Sequence, residues 1–329
     1  MAAPIYEPSA SVALSELTAL LSPSSPAAPE AAEAALALSG SASGRALLAE
    51  HPAALSALCA LAASASRGAR PALSALVNAS SEPAALEPLL AALPSLVPLL
   101  PSSGAACGVL ANLSRDAAAA PRVLRALGPG AEPLLLRALS AERPPAELGA
   151  LLCNLSQAPE GRQVLLEPTG RVLRRLLALL RCRPPELRSG AVGALRNCCF
   201  QHATPLEFPE HHEQILSPEL EALPLLLLPL AGPEELPEEE MEQLPVVLQY
   251  LPPEHRREEE PEIRKMLLET LLLVLIGDEP EAGLENLLEV TIPEQVQKHL
   301  RDLDRHEQEQ EQQEEEEEGT HRGHRDGTR

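Results

Sequence analysis

Four short segments of the chain share one pattern: ALVNAS at 75–80, VLANLS at 109–114, LLCNLS at 151–156 and ALRNCC at 194–199. Their asparagines, Asn78, Asn112, Asn154 and Asn197, stand 34, 42 and 43 residues apart, and LALSG near Leu38 reads as a degenerate earlier copy. A polar residue returning in an apolar frame at a period near 40 is the mark of a stacked helical repeat, because no single unit can bury its apolar face alone. Each segment closes a helix-like stripe that follows a Pro-rich start. In the third copy Pro144 and Pro145 suit a first turn, and Leu148, Leu151, Leu152 and Leu155 recur at helical spacing. Two shorter amphipathic pieces precede it, PRVLRAL from Pro121 and AEPLLLRAL from Ala131; the fourth copy repeats the order with GRQVLLE, GRVLRRLLALL and PPELRSGAVGALRNCCF. Short helix, second helix and longer third helix make an armadillo unit.

The expected fold is therefore all-α: an armadillo/HEAT-type helical repeat superhelix, or α-solenoid, with an acidic Pro-rich insertion and a disordered C-terminal tail. The chain of 329 residues divides in this reading into a partly ordered Ser/Pro/Ala-rich N-terminus (1–29), armadillo-like repeats (30–231), the insertion (232–261), a C-terminal helical region (262–303) and the tail (304–329). The insertion, GPEELPEEEMEQLPVVLQYLPPEHRREEEPE, is too Pro-rich and charged for a long helix. It carries Leu244, Val247, Tyr250 and Leu251, which a purely solvated linker does not need, so it either docks LPVVLQYLPP on the solenoid or binds a partner. The tail holds a self-repelling glutamate run and lacks apolar residues beyond Leu303. With aromatics at 1% and no Trp, Leu, Ala and Val must fill the core.

Function classes narrow on charge and chemistry. A net charge of −22 argues against general nucleic-acid binding, which needs a clustered positive face. Locally, eight arginines between Arg162 and Arg196 face only Glu167 and Glu186, a stretch of about +6. Arg174, Arg175, Arg188 and Arg196 are its candidate basic patch; ordinary solvated helix faces are the competing reading. The N-terminus shows no positive n-region followed by an apolar stretch, and the apolar runs from Leu223 and Met266 are too short to span a bilayer, so a soluble cytoplasmic protein without membrane attachment is expected. Six cysteines without framework spacing fit a reducing compartment.

No catalytic constellation emerges. Cys198, Cys199, His202, His211 and His212 invite a zinc reading, but adjacent helical residues diverge by about 100° and cannot converge on one ion. Neither thiol sits in a nucleophile motif. No catalytic residue, metal or cofactor is expected. Cys198 aligns with Leu113 and Leu155, and these three are assigned to the core. The four asparagines lie on the flank of the buried face, so each amide either bonds between repeats or serves a client-binding groove, where one amide offers a donor and an acceptor to a peptide unit. The position four residues earlier holds Ser74, Gly108, Ala150 and Gly193, with no aromatic shelf.

The carboxyl half is more specific. GALRNCCFQH, LLLLPLAGPEEL, EEEMEQLPVVLQYLPP, IRKML and LIGDEPEAGLENLLEV together resemble the HGH one homologue family, with the match running from about Leu151 to Leu303. That resemblance implies a non-enzymatic armadillo adaptor in the folding of translation elongation factor 2, with that factor and the cytosolic chaperonin and cochaperones as partners. It also implies a departure: between IRKML and LIGDEP the family carries about one further repeat, whereas here Thr270 runs almost directly into Leu273. A general armadillo scaffold with a different client shares every physical feature above.

Overall fold

In the computed structural model the described residues are 10–64, 66–128, 131–199, 215–217, 220–230 and 258–276, with Pro237 and Glu242 besides. Among them every regular element is helical. The chain forms two compact units, residues 1–198 and 199–329.

The first unit opens with α1 (Ala10–Leu20) and α2 (Ala28–Ser39), then repeats a three-helix pattern. The first repeat is α3 (Ala42–Ala49), α4 (Pro52–Ala62) and α5 (Ala69–Ala79); the second has α6 (Leu86–Leu96) and α7 (Gly104–Leu113). The third is α8 (Ala120–Leu127), α9 (Ala131–Leu139) and α10 (Glu147–Ser156), and the fourth is α11 (Pro159–Leu165), α12 (Arg171–Ala178) and α13 (Pro185–Cys199), whose last residue already belongs to the second unit. The second repeat reduces its first helix to a single 3-10 turn, Pro83–Ala85, packed on α3. This loss explains why Asn78 and Asn112 are only 34 residues apart while the later intervals are 42 and 43.

Local chemistry sets the boundaries. Ser41 and Ser103 cap α3 and α7 by accepting from the amides of Gly44 and Ala106 at 3.1 and 3.2 Å. Pro52 and Pro159 occupy first turns, where their missing N–H costs nothing. Gly170 enters α12 at φ 65°, a conformation that favours glycine. On α12, Val172, Leu173, Leu176 and Leu177 are buried while Arg171, Arg174 and Arg175 are exposed, the one-sided burial of a helix on a stack. The core consists mostly of Leu and Ala, with Val, Cys and Ile at a few positions.

The stack runs by helix type. Third helices follow one another, α5 on α2, α7 on α5 and α10 on α7, while among second helices α6 packs on α4 and α12 on α9. α2 thus serves as the third helix of an incomplete leading unit. The Ser/Pro/Ala-rich segment 1–29 also holds more structure than its composition suggests. Residues 10–20 form α1, packed on α2 and α4, with Leu14 and Leu21 buried.

In the second unit, α14 (Ala222–Leu227) continues through a 3-10 turn, Leu228–Leu230, and packs against α15 (Pro261–Ile276). The α15 start, Pro261-Glu262-Ile263-Arg264, repeats Pro185-Glu186-Leu187-Arg188 of α13 in sequence and in bonding. Arg188 Nη1 donates to the carbonyls of Cys182 and Arg183 at 3.0 and 2.8 Å, and Arg264 Nη1 to those of Glu258 and Glu259 at 2.7 and 2.8 Å. α14 and α15 therefore read as the second and third helices of another repeat. Most of the insertion and the whole tail lie outside the described residues.

Candidate interaction surface

The repeated asparagines come together as one file along the third helices, each half-buried and each tied backwards by its amide nitrogen. Asn78 Nδ2 donates to Ser39 Oγ at 2.9 Å. Asn112 Nδ2 donates to Val77 O at 3.1 Å and Ser80 Oγ at 2.9 Å. Asn154 Nδ2 reaches Ala111 O at 2.8 Å, and Asn197 Nδ2 reaches Cys153 O at 3.2 Å and Ser156 Oγ at 2.9 Å. The acceptors are themselves periodic: the carbonyl one residue before the preceding asparagine, or the serine two residues after it. A carbonyl near a helix end has spare acceptor capacity, and a neighbouring amide is a natural partner.

These bonds commit the amide nitrogen of each asparagine to the stack, through one bond at Asn78 and Asn154 and two at Asn112 and Asn197. Asn112 Oδ1 also accepts from Arg115 Nη2 at 3.0 Å. Removing Asn197 loses two inter-repeat hydrogen bonds, to Cys153 O and Ser156 Oγ, whereas removing Asn154 loses one, to Ala111 O. Asn197→Ala is therefore expected to cost about 1–2 kcal/mol and Asn154→Ala about half of that. Chemical denaturation at pH 7 ranks the two, and equal losses, or none, would refute the inter-repeat role.

The shelf positions beside the file are small. Ser74 and Gly108 are half-buried, Ala150 is exposed, and the space beside Gly193 is taken by Cys153, whose Sγ lies 2.8 Å from where a Cβ would stand. Glu147, exposed at the start of α10, reaches across to Gly104 and Gly108 of α7. Away from this file, an ion pair spans each of three junctions: Arg45 Nε to Glu82 at 3.2 Å, Arg122 to Glu87 at 2.6 Å and Arg171 to Glu132 at 2.8 Å. The Arg122 pair is two-pronged, and its hydrogen bonds hold the Glu87 carboxyl below the usual carboxylate range.

The arginine block is less uniform than its sequence. Arg162 is 6% exposed and its Nη1 donates to Ser156 O and Gln157 O at 3.1 and 3.0 Å, a cation closing the carboxyl end of α10. Arg171 and Arg188 are engaged as described above. Of the four candidate patch residues, Arg174 and Arg175 lie exposed on α12, a second helix facing α9. Arg188 and Arg196 are half-buried on α13, a third helix facing α10. The structure therefore divides the four between two helices of different type. Sequence reasoning missed Arg162 and Glu167 as buried groups, since charge alone says nothing of which helix end a side chain meets.

Leu113, Leu155 and Cys198 are 3%, 1% and 1% exposed. Burial pushes the thiols of Cys59, Cys107 and Cys198 up to about 12, far from nucleophilic at neutral pH. Cys198 and Cys199 are both buried, and His202, His211 and His212 lie outside the described residues. Among the described residues no group of three or more His, Cys, Asp and Glu could hold a metal ion. Among them, too, no helix is long and apolar enough to cross a membrane.

Comparison with known proteins places this architecture in a family. The human protein HGH1 homolog is 42% identical over 334 aligned positions, covering 83% of this chain and 83% of that protein. This chain belongs to the HGH1 family. The Xenopus tropicalis homolog is 39% identical, with 82% and 89% covered. A family model described as a domain of unknown function (DUF383) matches residues 98–265, from the second repeat to the start of α15. The human alignment is longer than the 329-residue chain yet covers only part of it, so the relative carries segments that this HGH1-family chain lacks. Solved structures agree on the fold. A designed armadillo repeat protein in complex with the peptide (KR)4 superposes with TM-score 0.57 at 22% identity, over 79% of this chain and 99% of that one. A second designed armadillo repeat protein gives 0.57 at 21% identity, with the same shares covered.

Proposed function

We propose that this chain is a non-enzymatic armadillo adaptor of the cytoplasm that holds translation elongation factor 2 while it folds and links it to the cytosolic chaperonin and cochaperones. Family membership supports this reading together with the resemblance of the carboxyl half. The observation that carries it is the file of third helices, in which Asn78, Asn112, Asn154 and Asn197 recur at one position per repeat. In this reading each amide nitrogen anchors its repeat, and the oxygens, with the second N–H at Asn78 and Asn154, are offered to an extended client segment. In this reading the small side chains of Ser74 and Ala150 leave the client backbone room to approach at those two positions. Neither nucleic acid nor membrane is a partner.

A general scaffold for a different client is the second reading. The segments present in relatives and lacking here favour it, since a shorter stack offers less surface. Affinity capture of the tagged chain from cells at low salt, read by mass spectrometry, separates the two. Enrichment of elongation factor 2 with chaperonin subunits is the expected result, whereas reproducible capture of other proteins without either would leave the scaffold alone.

A further inference from the structure

The second helices of the third and fourth repeats, α9 and α12, carry several exposed arginines. The Arg171–Glu132 contact joins the first residue of α12 to the second residue of α9, and the two helices pack together, so they start side by side and run parallel. One turn further on, that register sets Arg175 of α12 level with Leu136 and Arg137 of α9. Arg137 and Arg175 are both exposed, and Arg181, also exposed, ends the 3-10 turn Leu179–Arg181 that continues α12, so it stands on the same broad exposed face nearer the helix's carboxyl end. The only carboxylate on either helix is Glu132, which Arg171 takes. Glu167, before α12, is buried and held by backbone amides.

We infer that Arg137, Arg175 and Arg181 form a docking face for an extended, carboxylate-rich polypeptide segment. Three features select that occupant. Guanidinium forks match carboxylates two-pronged, and all sixteen basic residues in the first 199 positions are arginine. Neighbouring helices lie about 8–10 Å apart, so an extended segment crossing them can place alternate or third side chains on each row. The face spans only two helices, which suits a short acidic run and is too small for the continuous phosphate track of a nucleic acid. The 34 carboxylates of residues 200–329 do not veto such a contact, because at physiological salt a charge is screened beyond about 8 Å. This face is separate from the asparagine file, so its failure would leave the adaptor reading untouched.

The test is fluorescence polarisation of a labelled ten-glutamate peptide against the full chain at 50 and 300 mM salt. Salt-sensitive binding is expected, weakened at least tenfold by the double variant R137E/R175E and by less than threefold by R67E/R70E, which makes the same charge change elsewhere. Thermal melts confirm that both variants fold; if R137E/R175E does not, R137Q/R175Q replaces it, with the same loss expected. Absence of binding to the parent chain, or equal weakening by both variants, would overturn the proposal. Tighter binding of a ten-nucleotide DNA through the same arginines would reassign the face to nucleic acid. Binding that appears only after Glu314–Glu318 are changed to Gln would make the chain's own acidic run the occupant, and the separate partner would fall.

Discussion

Gly190→Val is expected to lower stability by about 3 kcal/mol or more, a melting shift of roughly 6–12 °C for a domain of this size. A Cβ at Gly190 would lie 2.1–2.3 Å from the backbone carbon, Cα and oxygen of Gly149, and one at Gly149 would lie 2.6 Å from Glu186 O. These neighbours are main-chain atoms of rigid helices, so α10 and α13 must separate and both faces of the junction lose contact. Gly108→Ala is the matched control. Its Cβ meets Val77 and Glu147 side chains at 3.6–3.9 Å, ordinary contact, and replacing a helical glycine gains up to about 1 kcal/mol. Opposite signs for the two glycines in calorimetric melts would establish the α10–α13 crossing; a neutral Gly190→Val would disprove it.

Glu167→Gln is expected to cost about 2 kcal/mol at pH 7, because a buried carboxylate that orders the entry of α12 becomes a group that only half accepts. Its oxygens take the amides of Thr169 at 2.7 Å, Arg171 and Val172 at 3.1 Å, together with the Thr169 hydroxyl. Partial desolvation alone pushes its pKa up, but the Thr169 hydroxyl and the three amides together outweigh it and the folded pKa falls below the ordinary value. A depressed folded pKa contributes stability above the unfolded pKa of about 4.3 and loses it as pH falls through the folded value. The gap between parent and Gln variant should therefore be constant from pH 7 to about 5.5 and close below about 4. Denaturant midpoints measured across that range check this, and a gap that widened on acidification would sink the account.

The repeat was legible because one helix registers locally: leucines at helical spacing and an asparagine at a constant phase mark each third helix without any knowledge of its neighbours. The file of Asn78, Asn112, Asn154 and Asn197 was legible for the same reason, and so was the candidate core at Leu113, Leu155 and Cys198. The first helix of the second repeat was not, since the 34-residue interval says that something is missing without saying which helix. The arginine block was read as charge, yet Arg162 and Arg188 turn towards carbonyls six and five residues behind them. That choice depends on loop paths absent from the pattern. α1 was hidden because Ser, Pro and Ala are equally at home in a turn and, once packed on α2 and α4, in a helix.

By itself the sequence determined an all-helical armadillo stack with a Leu/Ala core and no aromatic shelf, because periodicity and side-chain volume act within a few residues of chain. Only the tertiary structure decided which edge of each asparagine is spent on the stack, where Gly149 and Gly190 let two backbones touch, and which arginines are consumed and which remain outside. Those outcomes depend on atoms some forty residues apart meeting within hydrogen-bond or van der Waals distance. A helical repeat sets such meetings by the angle and register of its neighbours rather than by the residues alone.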